Sequence, residues 1–139
     1  MMKRVLLFVV LGGLALAPKA QDQSGSSVEV RGSQISIPSH AYPMHVEDLM
    51  TYEGTYDLSN GDVMHLRRSG SRMYARIGNQ LAKKLVAASQ NEFVALDRKL
   101  RITLNPDDYG GMNGELLMVV PRSVAGTGGG DQVVRLSVR

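Results

Sequence analysis

His40, His45, Glu47 and Asp48 fall within one short stretch of chain, the grouping from which a zinc or copper site would draw its ligands. The stretch offers no cysteine and no paired helical spacing, and the third histidine, His65, is expected on the outer face of a strand. Exposed, independent histidines are therefore expected. Asp107, Asp108, Asn113 and Glu115 supply oxygens in a glycine-rich segment, but not at the spacing of a calcium loop, and a long turn needs the same residue types. No Gly-x-Ser-x-Gly or Ser-x-x-Lys is present to activate a serine. Ser33, Ser69 and Ser71 read as turn residues. Gly128-Gly129-Gly130-Asp131 lacks the lysine and the helix of a phosphate loop and reads as a linker. Distant strand carboxylates could converge for glycoside chemistry, yet nothing selects a pair. No catalytic, cofactor-binding or metal-binding residue is assigned, and no cofactor is expected.

Met1-Met2-Lys3-Arg4 is a basic start, Val5 to Ala17 is an unbroken run of apolar residues and glycine, and small residues precede Gln21-Asp22-Gln23. This is the layout of a secretory signal peptide over residues 1–20, cut after Ala20. The run is shorter than the about 20 residues that span a hydrocarbon core. The chain carries 16 basic and 13 acidic residues. Losing Lys3, Arg4 and Lys19 with the signal leaves a formally neutral mature chain, so the full chain's pI near 9.4 mostly reflects the signal and is no evidence for a nucleic-acid partner. The local excess of nine basic over five acidic residues between Thr51 and Leu104 falls on Arg67-Arg68, Lys83-Lys84 and Arg98-Lys99, read as turns. With no cysteine, stability rests on one core of Val, Leu, Ile and Met.

Residues 21–47 read as a flexible leader with short edge strands at Val28–Arg31 and Gln34–Ile37, and Val46 to Met50 is too short to count as a helix. From Tyr52 onward apolar residues recur every second position. Tyr52, Gly54, Tyr56 and Leu58 share one face, and Met64 and Leu66 resume it. A three-residue Ser59-Asn60-Gly61 loop sets Tyr56 opposite Met64 and Gly54 opposite Leu66, with Gly61 in the left-handed region. A two-residue Ser69-Gly70 turn sets Leu66 opposite Met73 and Met64 opposite Ala75. Gly54 is the gap on the inner face, expected at a bend or a close backbone approach. Further strands are expected at Leu81–Ala87, Glu92–Leu96, Leu100–Leu104 and Glu115–Val120, with a long turn over Asn105–Gly114. Val134, Leu136 and Val138 alternate again, in a tail that either closes the sheet or stays partly loose. The fold class is all-β: a small antiparallel meander forming a barrel or half-barrel over residues 48–120, followed by a glycine-rich joint and possible closing strand over 121–139.

The segment Asp48-Leu49-Met50-Thr51-Tyr52-Glu53-Gly54-Thr55-Tyr56-Asp57-Leu58 resembles the opening of the small lipocalin-like β domain of unknown function found C-terminal to serine β-lactamase-related hydrolases. Met64-His65-Leu66, Arg72-Met73-Tyr74-Ala75, Leu85-Val86-Ala87 and Glu92-Phe93-Val94 follow in similar order, and the likeness runs to Val120. It implies an accessory, non-catalytic barrel; the hydrolase itself is missing, so no role over a neighbouring active site carries over. The expectation is an exported, periplasmic or secreted non-enzymatic module binding a small apolar ligand, a peptide or a partner protein. The alternatives are a small periplasmic hydrolase with a site not visible in sequence, or a structural envelope-associated protein.

Overall fold

The computed structural model describes residues 34–121 and 130–139. The signal segment, the Val28–Arg31 stretch, Ser33 and most of the glycine-rich joint lie outside the described residues. A short helix, α1 (Val46–Tyr52), precedes eight strands: β1 (Gly54–Asp57), β2 (Val63–Ser69), β3 (Arg72–Ile77), β4 (Lys83–Ala87), β5 (Glu92–Ala95), β6 (Leu100–Pro106), β7 (Met112–Pro121) and β8 (Asp131–Val138). Each strand pairs antiparallel with the next in sequence order. Leu58 bridges Val138, and Asp57 and Arg139 exchange backbone hydrogen bonds of 2.9 and 3.0 Å, so the meander curls into a nearly closed barrel.

Alternation decides which side chains face inward. Tyr56, Met64, Leu66, Met73, Ala75, Ile77, Leu85, Phe93, Leu100, Ile102, Leu104, Leu116, Leu136 and Val138 are buried in one interior cluster. Leu49 and Tyr52 of α1 join it, so the helix closes one end of the barrel. The interior is filled. Met64, Leu66, Phe93, Leu100, Ile102, Leu104 and Leu116 have no exposed surface at all. Packed interiors of this kind leave few voids larger than a water molecule.

The first hairpin has the expected register, Tyr56 opposite Met64 and Gly54 opposite Leu66, with Gly61 at φ 88°. The second differs. Leu66 faces Ala75 and Met64 faces Ile77, and the two-residue loop is Gly70-Ser71 instead of Ser69-Gly70. Gly70 has φ 62°, and Ser71 is not among the residues with positive φ. Placing glycine first in the loop spares serine a left-handed conformation, which an L side chain resists. The correction moves the register by a full period of two, so every inward residue stays inward.

Three further expectations are corrected. Val46–Tyr52 is a helix after all, because Leu49 and Tyr52 are fixed by the barrel beneath them and tertiary packing supplies what a seven-residue helix lacks alone. The segment from Gln34 to His45, read as flexible leader with an edge strand at Gln34–Ile37, forms no strand and is docked on the barrel. Ile35 is fully buried against Val94, Leu117 and Val119 on the outer wall, its N–H donates to the Arg98 carbonyl at 3.1 Å, and the Tyr42 N–H donates to the Ala87 carbonyl at 2.8 Å. This explains why Leu116–Val120 is continuously apolar: Leu116 and Met118 face the core while Leu117 and Val119 face the strap. Finally, β6 and β7 extend through Pro106 and from Met112, so the long turn shrinks to residues 107–111.

Candidate functional site

The residues singled out for chemistry are dispersed or committed to structure. His40 and His45 are exposed in the strap region, where the His45 N–H donates to Asp48 Oδ2 at 3.3 Å across the start of α1. His65 lies on the outer face of β2, its Nδ1 3.1 Å from Thr55 Oγ1. Among the described residues no three His, Asp or Glu side chains gather as metal ligands. Asp107 Oδ1 accepts the N–H groups of Tyr109 at 2.9 Å and Gly111 at 2.7 Å, tying up its own turn, and Glu115 pairs with Arg135 at 3.3 Å. Ser69 ends β2 and Ser71 lies in the following turn, each exposed.

The tyrosines at the capped end are structural. The Tyr52 hydroxyl donates to the Gln90 carbonyl at 2.9 Å, and the Tyr56 hydroxyl to the Tyr52 carbonyl at 2.9 Å. Burial, then the Asp48 charge, pushes the Tyr52 hydroxyl above the usual phenol range; burial, then Tyr52, does the same to Tyr56. Both stay protonated donors through neutral pH.

Between the strap and the rim of β3 and β4 opens a cleft of about 260 Å3. Its floor is core: Leu49, Met73, Leu85 and Phe93. Tyr42 and Met44 overhang it from the strap, and Arg72 and Lys84 stand at its edge. Tyr42 is 43% exposed, so the overhang is open to solvent. The cleft arises because the strap crosses this end of the sheet on a single backbone hydrogen bond, Tyr42 to Ala87, where β2 and β3 have already turned back.

No protein-family model, curated protein or solved structure matches this chain.

The second candidate surface is the outer wall of β2, β3 and β4. Arg67-Arg68 and Lys83-Lys84, read as turn residues, lie within strands; only Arg98-Lys99 occupies a turn. Alternation splits each strand pair. Arg68 binds Glu53, its N–H donating to Oε1 at 2.9 Å and its Nε to Oε2 at 3.3 Å, while Arg67 points outward. Lys83 pairs with Asp97 and Lys84 stays exposed. Arg67, Arg72, Arg76 and Lys84 thus share one face and, among the described residues, none forms an ion pair. A dent of about 200 Å3 in this wall is lined by His65, Arg67, Tyr74, Arg76 and Ala82. A broader hollow of about 670 Å3 lies between the β3–β4 turn and Asp97, walled by the almost fully exposed Leu81 and by Leu96. It is a gap between two turns and offers only Lys83, Lys84 and Asp97 as charges, two of them already paired.

That pair carries a pH prediction. Burial alone would raise the Asp97 carboxyl, but hydrogen bonds from the Lys83 ammonium and the Lys99 N–H, with both lysine charges, outweigh it and hold the group below its ordinary 3.8. A depressed carboxyl contributes stability above its unfolded value and loses it as pH falls through the folded value. Chemical denaturation of wild type and Lys83→Met is expected to differ most above about pH 5 and to converge as pH drops toward 2. A gap that stays constant down to pH 2 contradicts the pairing.

Proposed function

We propose that this chain is an exported, non-enzymatic binding module that takes a small apolar group at the mouth of its barrel and not in the lumen. The observation carrying this reading is the 260 Å3 cleft floored by core side chains beneath the strap. The filled interior supports it, because the inward positions of the middle strands leave nothing unoccupied for a ligand. Apolar floor, aromatic overhang and two cations at the edge suit an apolar chain bearing an acidic head: the chain replaces water against the exposed face of Tyr42 and over the rims of Leu49 and Leu85, and the head meets Arg72 and Lys84. Non-enzymatic character is supported by the dispersal of histidines and carboxylates into separate structural bonds. The likeness to lipocalin-like accessory domains and the signal-type start fit the same reading.

The test is saturable binding of a fluorescent medium-chain fatty acid to the mature protein, displaced by decanoate. Tyr42→Glu sets a negative charge on the exposed overhang and is expected to weaken binding at least about tenfold with unfolding temperature unchanged; tenfold corresponds to about 1.4 kcal/mol. Absence of saturable binding by wild type, or equal binding by Tyr42→Glu, refutes the cleft as the site.

A further inference from the structure

The dent in the outer wall has a composition that the apolar cleft does not explain. We propose that His65 and Arg67 on β2, with Tyr74 and Arg76 on β3, form a separate site for a phosphate-type dianionic group.

Register builds the site. His65 lies directly opposite Arg76, and Arg67 directly opposite Tyr74. The two arginines therefore occupy a cross-strand diagonal, about 7–8 Å apart at the backbone, within joint reach of one small group for side chains of their length. Next to them on the β4 side is Ala82, a methyl where a larger residue would fill the dent. The volume, about 200 Å3, is below the roughly 300–1,000 Å3 of pockets that enclose a whole small molecule. It accommodates a charged group, the remainder of the ligand projecting into solvent.

The donors are set in advance. In the tautomer whose Nδ1 accepts from the Thr55 hydroxyl, His65 carries its proton on Nε2. Tyr74 is half-buried, and its hydroxyl makes no hydrogen bond among the described residues. Neither arginine has an acidic partner there. Arg67 and Lys84 stand opposite Tyr74 from the two neighbouring strands, and neither pairs with an acid among the described residues. A dianion bound beside them would stabilise the fold by mass action. The charge count selects the class. A carboxylate is satisfied by the fork of one guanidinium, whereas a tetrahedral dianion has oxygens for two guanidinium groups and an imidazole N–H.

Titration of isotopically labelled mature protein with inorganic phosphate, at fixed ionic strength, tests the site. Saturable amide shifts confined to Thr55, His65, Arg67, Tyr74 and Arg76 are expected, together with a rise in unfolding temperature. Acetate is expected to bind at least about tenfold more weakly; equal binding overturns the dianion assignment. The paired substitution Arg67→Gln and Arg76→Gln removes only exposed charge, so its fold should hold, and it is expected to weaken phosphate binding at least about tenfold. Tyr42→Glu is expected to leave phosphate binding intact, which separates this site from the apolar cleft. Vesicles of phosphatidylcholine containing phosphatidic acid establish whether the group is also taken from a lipid. Capture by phosphatidic acid, lost in the double variant, extends the site to headgroups, and free phosphate binding without vesicle capture limits it to soluble esters. Equal capture by phosphatidylglycerol vesicles of the same charge, or shifts spread over the whole surface, would reduce the wall to unspecific attraction and refute the proposal.

Discussion

Gly114→Ala is expected to cost more than about 3 kcal/mol and to lower the unfolding temperature by more than about 10 °C. Gly114 sits in β7 between Leu104 of β6 and Val138 of β8. A Cβ built on it would lie 1.9 Å from the Thr103 carbonyl oxygen, 2.9 Å from its carbon and 3.1 Å from Leu104 Cα. These are backbone atoms of a paired strand, so no rotamer change makes room and β6 must move. The displacement would disturb Leu104 and Ile102, which are fully buried. Gly54→Ala is the contrasting control. The atoms nearest its Cβ would be those of the Tyr56 ring and hydroxyl, at 3.5 Å, an ordinary contact. There the change is expected to be neutral or to stabilise by up to about 1 kcal/mol through the less flexible unfolded chain. Thermal melts of both variants decide the matter: a Gly114→Ala melt within a few degrees of wild type contradicts the close approach of β6 to β7.

Phe93→Ala is expected to lose about 3–5 kcal/mol, the range for emptying a fully buried aromatic site. Phe93 has no exposed surface, and its ring meets Tyr52 edge to face, centroids 5.2 Å apart at 70°. Tyr52 in turn anchors α1 to the barrel through its hydroxyl on Gln90. Removing the ring therefore undermines the core, the capping helix and the floor of the cleft together. Urea denaturation should show the lower midpoint, and Phe93→Leu, which keeps much of the volume, should lose markedly less. A loss under about 1 kcal/mol would mean the ring is not an integral part of the packing.

The contrast between the two glycines shows what the sequence disclosed and what it hid. Gly54 stands out as a gap in an alternating strand, so a bend or a close backbone approach is expected there; the atoms nearest to it are those of the Tyr56 side chain, not another backbone. Gly114 escapes notice because Asn113, Gly111, Gly110 and Pro106 make its neighbourhood look like a turn. Alternation does reveal it in retrospect, since Gly114 shares parity with Leu116 and Met118 and so falls on the inner face. Parity was legible throughout β1, β2 and β3 because one face is buried and the other wet. Absolute register was not: Ser69-Gly70 and Gly70-Ser71 preserve the same parity, and only the left-handed requirement at Gly70 separates them. Ile35 was hidden for another reason. Its burial depends on the outward side of β7, which local pattern cannot assign to a partner some eighty residues away. The basic wall was obscured because adjacent lysines and arginines look like solvated turns until strand geometry sends one of each pair outward.

The joint between β1 and β8 has a kinetic consequence. Seven of the eight strand contacts link neighbours in the chain, so hairpins can add one after another with little entropy lost per step. Uniting Asp57 with Arg139 instead requires the two ends of the whole meander to find each other, for the return of only three backbone hydrogen bonds. Ring closure is thus the last event of folding and its reversal the first of unfolding, and the amides of Asp57, Ser59 and Arg139 should exchange with solvent well before those of β2 and β6.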